Sequence, residues 1–78
     1  MDLTQALKWI ADIFEESVDN IKPEATRDDI DYWDSLGVLS LMAGLDEEFD
    51  IQLDEDELQE MRTIEDILKV LRQHGQLS

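Results

Sequence analysis

The chain has 78 residues, no cysteine, and 21 acidic against six basic side chains, for a formal net charge of −15. This excludes a disulfide framework, a thiolate metal site and a cysteine nucleophile. It also makes nucleic acid and anionic membranes poor partners and favours proteins with basic patches. With 42% hydrophobic residues at regular spacing, the chain reads as one folded domain over residues 1–78, near the lower size limit for an unstapled core.

The opening MDLTQALKWIADIF interleaves acids with apolar residues and has no small-residue cleavage site. No apolar run approaches the roughly 20 residues needed to span a bilayer, so a cytoplasmic location is expected. Leu3, Leu7, Ile10 and Phe14 recur as one stripe of an amphipathic helix, broadened by Ala6, Ala11 and Ile13, which predicts a first helix over about 3–17. Trp9 falls at the edge of that stripe and reads as partial core. From Val18 to Asp34 the period breaks around Pro23, with Val18, Ile21, Ala25 and Ile30 as isolated apolar anchors. So long a loop in so small a domain is either functional or disordered, and its anchors suggest that it crosses the helices.

Asp34 reads as an N-cap, and Val38, Leu41, Met42, Leu45 and Phe49 then follow at helical spacing, which predicts a second helix over 35–49. Gly44 inside it allows close packing. Ile51 and Leu53 alternate as a short extended piece before one or two helical turns carrying Leu58 and Met61. Thr63 with Asp66 resembles a capping box opening a last helix, whose inward stripe is Ile64, Ile67, Leu68 and Leu71 and whose end is marked by Gly75. The expected fold is all-α: a four-helix bundle of three longer helices and one short third helix, with a long loop between the first and second.

Little in this sequence supports catalysis. His74, the single histidine, lies in the last turn of the last helix and reads as solvated or capping, so no base is in place for a serine nucleophile. No enzyme is expected. Acid spacing after Asp54 and after Asp50 fails the calcium-loop pattern, since Leu58, Gln59 and Met61 fall where ligands or glycine are required. What remains is Asp34-Ser35-Leu36. Ser35 is the first residue of the second helix, beside unpaired amides that favour an anion, which suits a serine accepting a phosphodiester-linked group. Ser17, Ser40 and Ser78 lack that context.

Across nearly the whole length, and most clearly over residues 33–64, the chain resembles the acyl carrier protein family. DSL at 34–36 is similar to the family's attachment motif, and LSLMAGLDEEFDIQLDEDELQEMRTIEDIL resembles the stretch that follows it. The resemblance implies that Ser35 carries 4′-phosphopantetheine, taken from coenzyme A and ending in the thiol that the chain itself lacks. It implies Asp34 and Leu36 as motif neighbours, and Asp46, Glu47 and Glu48 as acids read by basic partner enzymes. Leu41, Met42, Leu45, Phe49, Leu53, Leu58 and Met61 would line the core and an acyl pocket.

Fatty-acid carriers commonly place acids where this chain has Gly37 and Ser40, and small residues where it has Tyr32 and Trp33. Leu58 is also larger than the family norm. A standalone carrier of a specialised pathway is therefore expected rather than a housekeeping one, with Gly37, Ser40 and Trp33 as part of a changed recognition surface. Tyr32 and Trp33 either staple the loop to the second helix or form an exposed platform for the arm or a partner. An aminoacyl or peptidyl carrier is the near alternative, and a small acidic adaptor without the arm is the distant one. The implied partners are a phosphopantetheinyl transferase and acyl-handling enzymes with basic patches, met by a monomer.

Overall fold

A computed structural model describes residues 1–78. Four α-helices run in chain order: α1 (Leu3–Phe14), α2 (Ser35–Phe49), α3 (Glu55–Gln59) and α4 (Ile64–Gln73). There are no strands, and the fold is a bundle of the acyl-carrier type. The extended piece expected at Ile51–Leu53 is coil. Ile51 is buried there, and its N–H reaches back 3.1 Å to the Leu45 carbonyl at the end of α2.

Each helix start is closed by a short polar side chain. Asp2 and Gln5 form a reciprocal capping box at α1, and Thr63 and Asp66 form another at α4. α1 ends at Phe14, three residues before the predicted limit. Glu15 takes a left-handed conformation (φ 51°), and the Glu16 N–H then bonds the Ala11 carbonyl at 2.9 Å. This Schellman-type stop uses a non-glycine residue, which local helix propensity does not anticipate. Ser17 then caps a 3₁₀ turn at Val18–Asn20, so this serine is a capping residue after all. At the far end Gly75 (φ 74°) closes α4 as expected.

The core takes Ala6, Ile10, Ala11 and Phe14 from α1; Val38, Leu41 and Leu45 from α2; and Leu58 with Ile64, Ile67, Leu68 and Leu71 from α3 and α4. Leu3, counted in the apolar stripe of the first helix, and Val18, counted as an anchor of the loop, are exposed. Trp9 lies half-buried, edge-on to Phe49 with ring centroids 4.9 Å apart. α1 and α2 meet at Gly44, where an added Cβ would stand 2.6 Å from Ile13 Cδ1 and 3.0 Å from Trp9 Cζ2.

Loop 15–34 is ordered by what it covers. Ile21, Ala25 and Ile30 are buried. Its backbone ties to the start of α4: the Ile64 N–H donates to the Ala25 carbonyl (3.0 Å), the Glu65 N–H to the Pro23 carbonyl (2.9 Å), and the Arg27 N–H to the Arg62 carbonyl (3.0 Å). The first amides of a helix have no partner within it. Here the loop supplies two and the Thr63 hydroxyl supplies the third, accepting from Asp66 N–H at 3.3 Å.

The Asp66 carboxylate closes this knot by accepting from Arg62 N–H at 2.8 Å and Thr63 N–H at 3.1 Å. The Arg62 bond is the main reason its pKa falls below the ordinary aspartate value near 3.8, against a partial desolvation that opposes the fall. A lowered folded pKa means that this stabilisation is fully present above pH 3.8 and is lost as pH falls below it. Protonation of the many other acids relieves self-repulsion over the same acid range. Asp66→Ala is expected to lower stability at pH 7 by about 1 kcal/mol and to flatten the acid limb of a stability-versus-pH curve measured by urea unfolding.

Candidate functional site

α2 begins where the loop is most tightly packed. Trp33 is only 3% exposed and stacks on Phe14, ring centroids 5.0 Å apart and planes inclined by 24°. Its indole Nε1 is buried without a hydrogen-bond partner. Tyr32 beside it is 40% exposed. The Glu15 carboxylate, as hydrogen-bond acceptor and as a nearby charge, raises the phenol above its usual pKa. Of the two sequence readings for this pair, Trp33 is the staple. At 3% exposure it is no platform for a partner protein, and its place among recognition residues is withdrawn.

One contact fixes the helix against the loop. At Gly37 an added Cβ would lie 1.9 Å from the Tyr32 carbonyl oxygen and 3.0 Å from its carbon. Gly37 is buried under that peptide. Gly37 is therefore a steric requirement of the loop, not the exposed recognition position expected from the sequence. Ser40 is half-exposed on the helix, while Asp46, Glu47 and Glu48 are exposed beyond it.

Asp34 caps α2 as predicted: its Oδ1 accepts from Leu36 N–H at 3.0 Å and Gly37 N–H at 3.1 Å. Val38 N–H bonds the Asp34 carbonyl at 2.9 Å. Three amides of the first turn are thus already engaged, and the Asp34 charge occupies the pole where an anion was expected to settle. Only the Ser35 amide is left of that expectation. Ser35 itself is exposed at the first helical position, and Leu36 beside it is 64% exposed.

The residues expected around an acyl chain divide into two sets. Leu41, Leu45 and Leu58 are fully buried core and line no cavity. Met61 is also buried, and Phe49 is half-buried against Trp9. Met42 and Leu53, by contrast, face a groove of about 310 Å³ on the outer side of α2, completed by Leu39, Ala43, Asp46 and Gln52. Gln52 Nε2 donates to Asp46 Oδ1 at 3.3 Å across one end of it.

Leu39, Ala43 and Gln52 were absent from the sequence-derived site. The available signal was composition: residues 35–45 of α2 contain no charged side chain, in a chain where 35% of residues are charged. A helix apolar on more than one face has something to offer on the outside. Leu36 and Leu39, at 64% and 52% exposure, form that second face.

The sequence is similar to known proteins. The family described as "Phosphopantetheine attachment site" matches residues 5–71. An acyl carrier protein of Bdellovibrio bacteriovorus is 30% identical over 57 residues, 73% of each chain. No solved structure matches significantly. The chain belongs to the acyl carrier protein family, whose cofactor is 4′-phosphopantetheine and whose members interact with acyl-handling enzymes.

The two buried glycines of α2 give a contrast to measure. Gly37→Ala sets a methyl against backbone and is expected to cost about 1–3 kcal/mol in chemical unfolding. Gly44→Ala meets the rotatable end of Ile13 and the edge of the Trp9 ring rather than backbone, and gains about 1 kcal/mol of helix propensity, so it is expected to cost less than Gly37→Ala.

Proposed function

We propose that Ser35 is the residue that bears the 4′-phosphopantetheine arm, and that the chain is a carrier domain presenting acyl groups to partner enzymes. The observation that carries this is the position of Ser35: exposed, first in α2, inside an Asp-Ser-Leu triplet and within the matched span. When attached, the arm supplies a thiol on which an acyl group is held as a thioester.

The protein's own residues fit that group. The Ser35 hydroxyl is open to a transferase, and the Trp33–Phe14 stack and the Gly37–Tyr32 contact hold it on a rigid edge. Leu36, Leu39 and Met42 continue from it along the outer side of α2 to the groove, giving an apolar track of the kind an acyl group would lie on. No residue in this reading performs chemistry. The domain contributes solubility, tethering and effective concentration.

Partner recognition divides along α2. Beyond the Asp34 cap the first turns of α2 present Leu36 and Leu39 and no further charge, whereas Asp46, Glu47 and Glu48 lie about 16 Å or more from Ser35 along the axis at 1.5 Å per residue. A partner would set apolar side chains near the arm and basic ones at the far end, the second steering encounter and the first deciding how long it stays. A monomer meeting such enzymes transiently suits a shuttle. No helix is long and apolar enough to cross a membrane.

Intact mass after incubation with coenzyme A, magnesium and a broad-specificity phosphopantetheinyl transferase tests the attachment site. The expected result is a gain of one phosphopantetheine, abolished in a folded Ser35→Ala. A folded parent that stays unmodified would favour an adaptor of the same fold that never bears the arm. Leu39→Asp should unfold within about 0.5 kcal/mol of the parent, since the side chain is exposed. It should nevertheless lower kcat/KM for an acyl-transferring partner about tenfold or more, and an unchanged kcat/KM would remove Leu39 from the interface.

A further inference from the structure

Away from α2, two arginines share a cleft. The Arg27 N–H donates to the Arg62 carbonyl at 3.0 Å where the loop crosses the start of α4. Both side chains line a depression of about 570 Å³ together with Thr26, Asp28 and Trp33. Arg62 Nη1 donates to the Gln59 carbonyl at 2.9 Å, and Arg27 Nη1 stands 3.4 Å from that carbonyl and from Gln59 Oε1. The Arg27 guanidinium lies 5.8 Å from the centre of the Trp33 ring.

These contacts use one nitrogen of each guanidinium. Each group has five N–H donors in a planar fork, so most donors of both remain open to the cleft or to water. Acids outnumber bases 21 to six in this chain, yet neither arginine pairs with a carboxylate. The single ion pair of the molecule is Arg72–Glu65. Two like charges brought to one cleft repel each other, and a doubly charged oxyanion between them turns that repulsion into paired, charge-assisted hydrogen bonds. Distant acids oppose binding little at physiological salt, where the screening length is about 8 Å. Asp28 among the lining residues works against an anion, as do Asp29 and Asp66, whose carboxylates accept from the Thr26 and Arg62 amides at 2.9 and 2.8 Å and are partly neutralised by those bonds.

We propose that this cleft binds a phosphate dianion, free or as a monoester, between the guanidiniums of Arg27 and Arg62. The site does not depend on the assignment of Ser35, but it lies close to it. Trp33 lines the cleft and is two residues from Ser35, so their Cα atoms are at most about 7 Å apart. The dianion is therefore either free phosphate or the 3′-phosphate of coenzyme A, the donor of the arm.

The two tryptophans allow a direct test on the full chain with no transferase present. Trp33 lines the cleft, and Trp9 sits against Phe49 as an internal control. Inorganic phosphate, added at constant ionic strength and followed by two-dimensional NMR, should shift the Trp33 indole resonance and the Arg27 and Arg62 amides saturably while leaving the Trp9 indole in place. Arg27→Gln and Arg62→Gln should each weaken binding about tenfold. Asp28→Asn should tighten it, an outcome that mere structural damage does not produce.

Coenzyme A binding at least tenfold more tightly than its analogue without the 3′-phosphate assigns the site to the arm donor. Equal binding of the two, with inorganic phosphate still saturating, assigns it to the free ion. The proposal is overturned by a linear, non-saturating shift, by the same shift with chloride, or by unchanged binding in a folded Arg27→Gln/Arg62→Gln chain.

Discussion

The backbone tie between the loop and the first turn of α4 is the constraint on which the rest of this molecule rests. Three hydrogen bonds, from Ile64, Glu65 and Arg27, join segments some 40 residues apart. They satisfy helix amides that would otherwise be orphaned, and they fix the course of a 20-residue connection that has only brief 3₁₀ turns of its own. From that anchor the loop delivers Ile30 and Trp33 to the core and the Tyr32 peptide to the side of α2. The position of Ser35 is thus inherited from a contact at the other end of the loop, reached through side-chain packing rather than through regular structure.

The charge distribution has the same economy. A chain of −15 concentrates acids at the end of α2 and through α3 while keeping residues 35–45 free of charge. Close-set acids repel, and the fold tolerates them by leaving them on the surface, where water and salt screen them. The neutral stretch then serves two faces of one helix. Val38, Leu41 and Leu45 turn inward, and Leu36, Leu39 and Met42 turn outward toward the exposed serine and the groove.

How much of this the sequence disclosed depends on the range of the interaction. The limits of α2, the Asp34 cap and the Thr63–Asp66 box were legible because each is decided by residues within one turn of one another. The all-helical class followed from apolar periodicity. The early end of α1 was not legible, since Glu15 in a left-handed conformation goes against its own preference. The burial of Trp33 against Phe14 and of Gly37 under the Tyr32 carbonyl required knowing where the loop lies. For the same reason the residues expected to line an acyl pocket divided only in three dimensions: Leu58 reads like Leu53 in a string of letters, but one is in the core and the other on a groove.

The close approach at Gly37 also bears on which substitutions this chain can accept. Any side chain at that position collides with a main-chain oxygen, which no substitution at residue 32 can remove, because every amino acid carries the same carbonyl. A side chain fits at position 37 only if the loop takes another course, and Trp33, buried against Phe14, holds it to this one. Substitution is therefore closed at this position by the main chain itself, whereas Leu36 and Leu39 in the same turn are open to change without disturbing the fold.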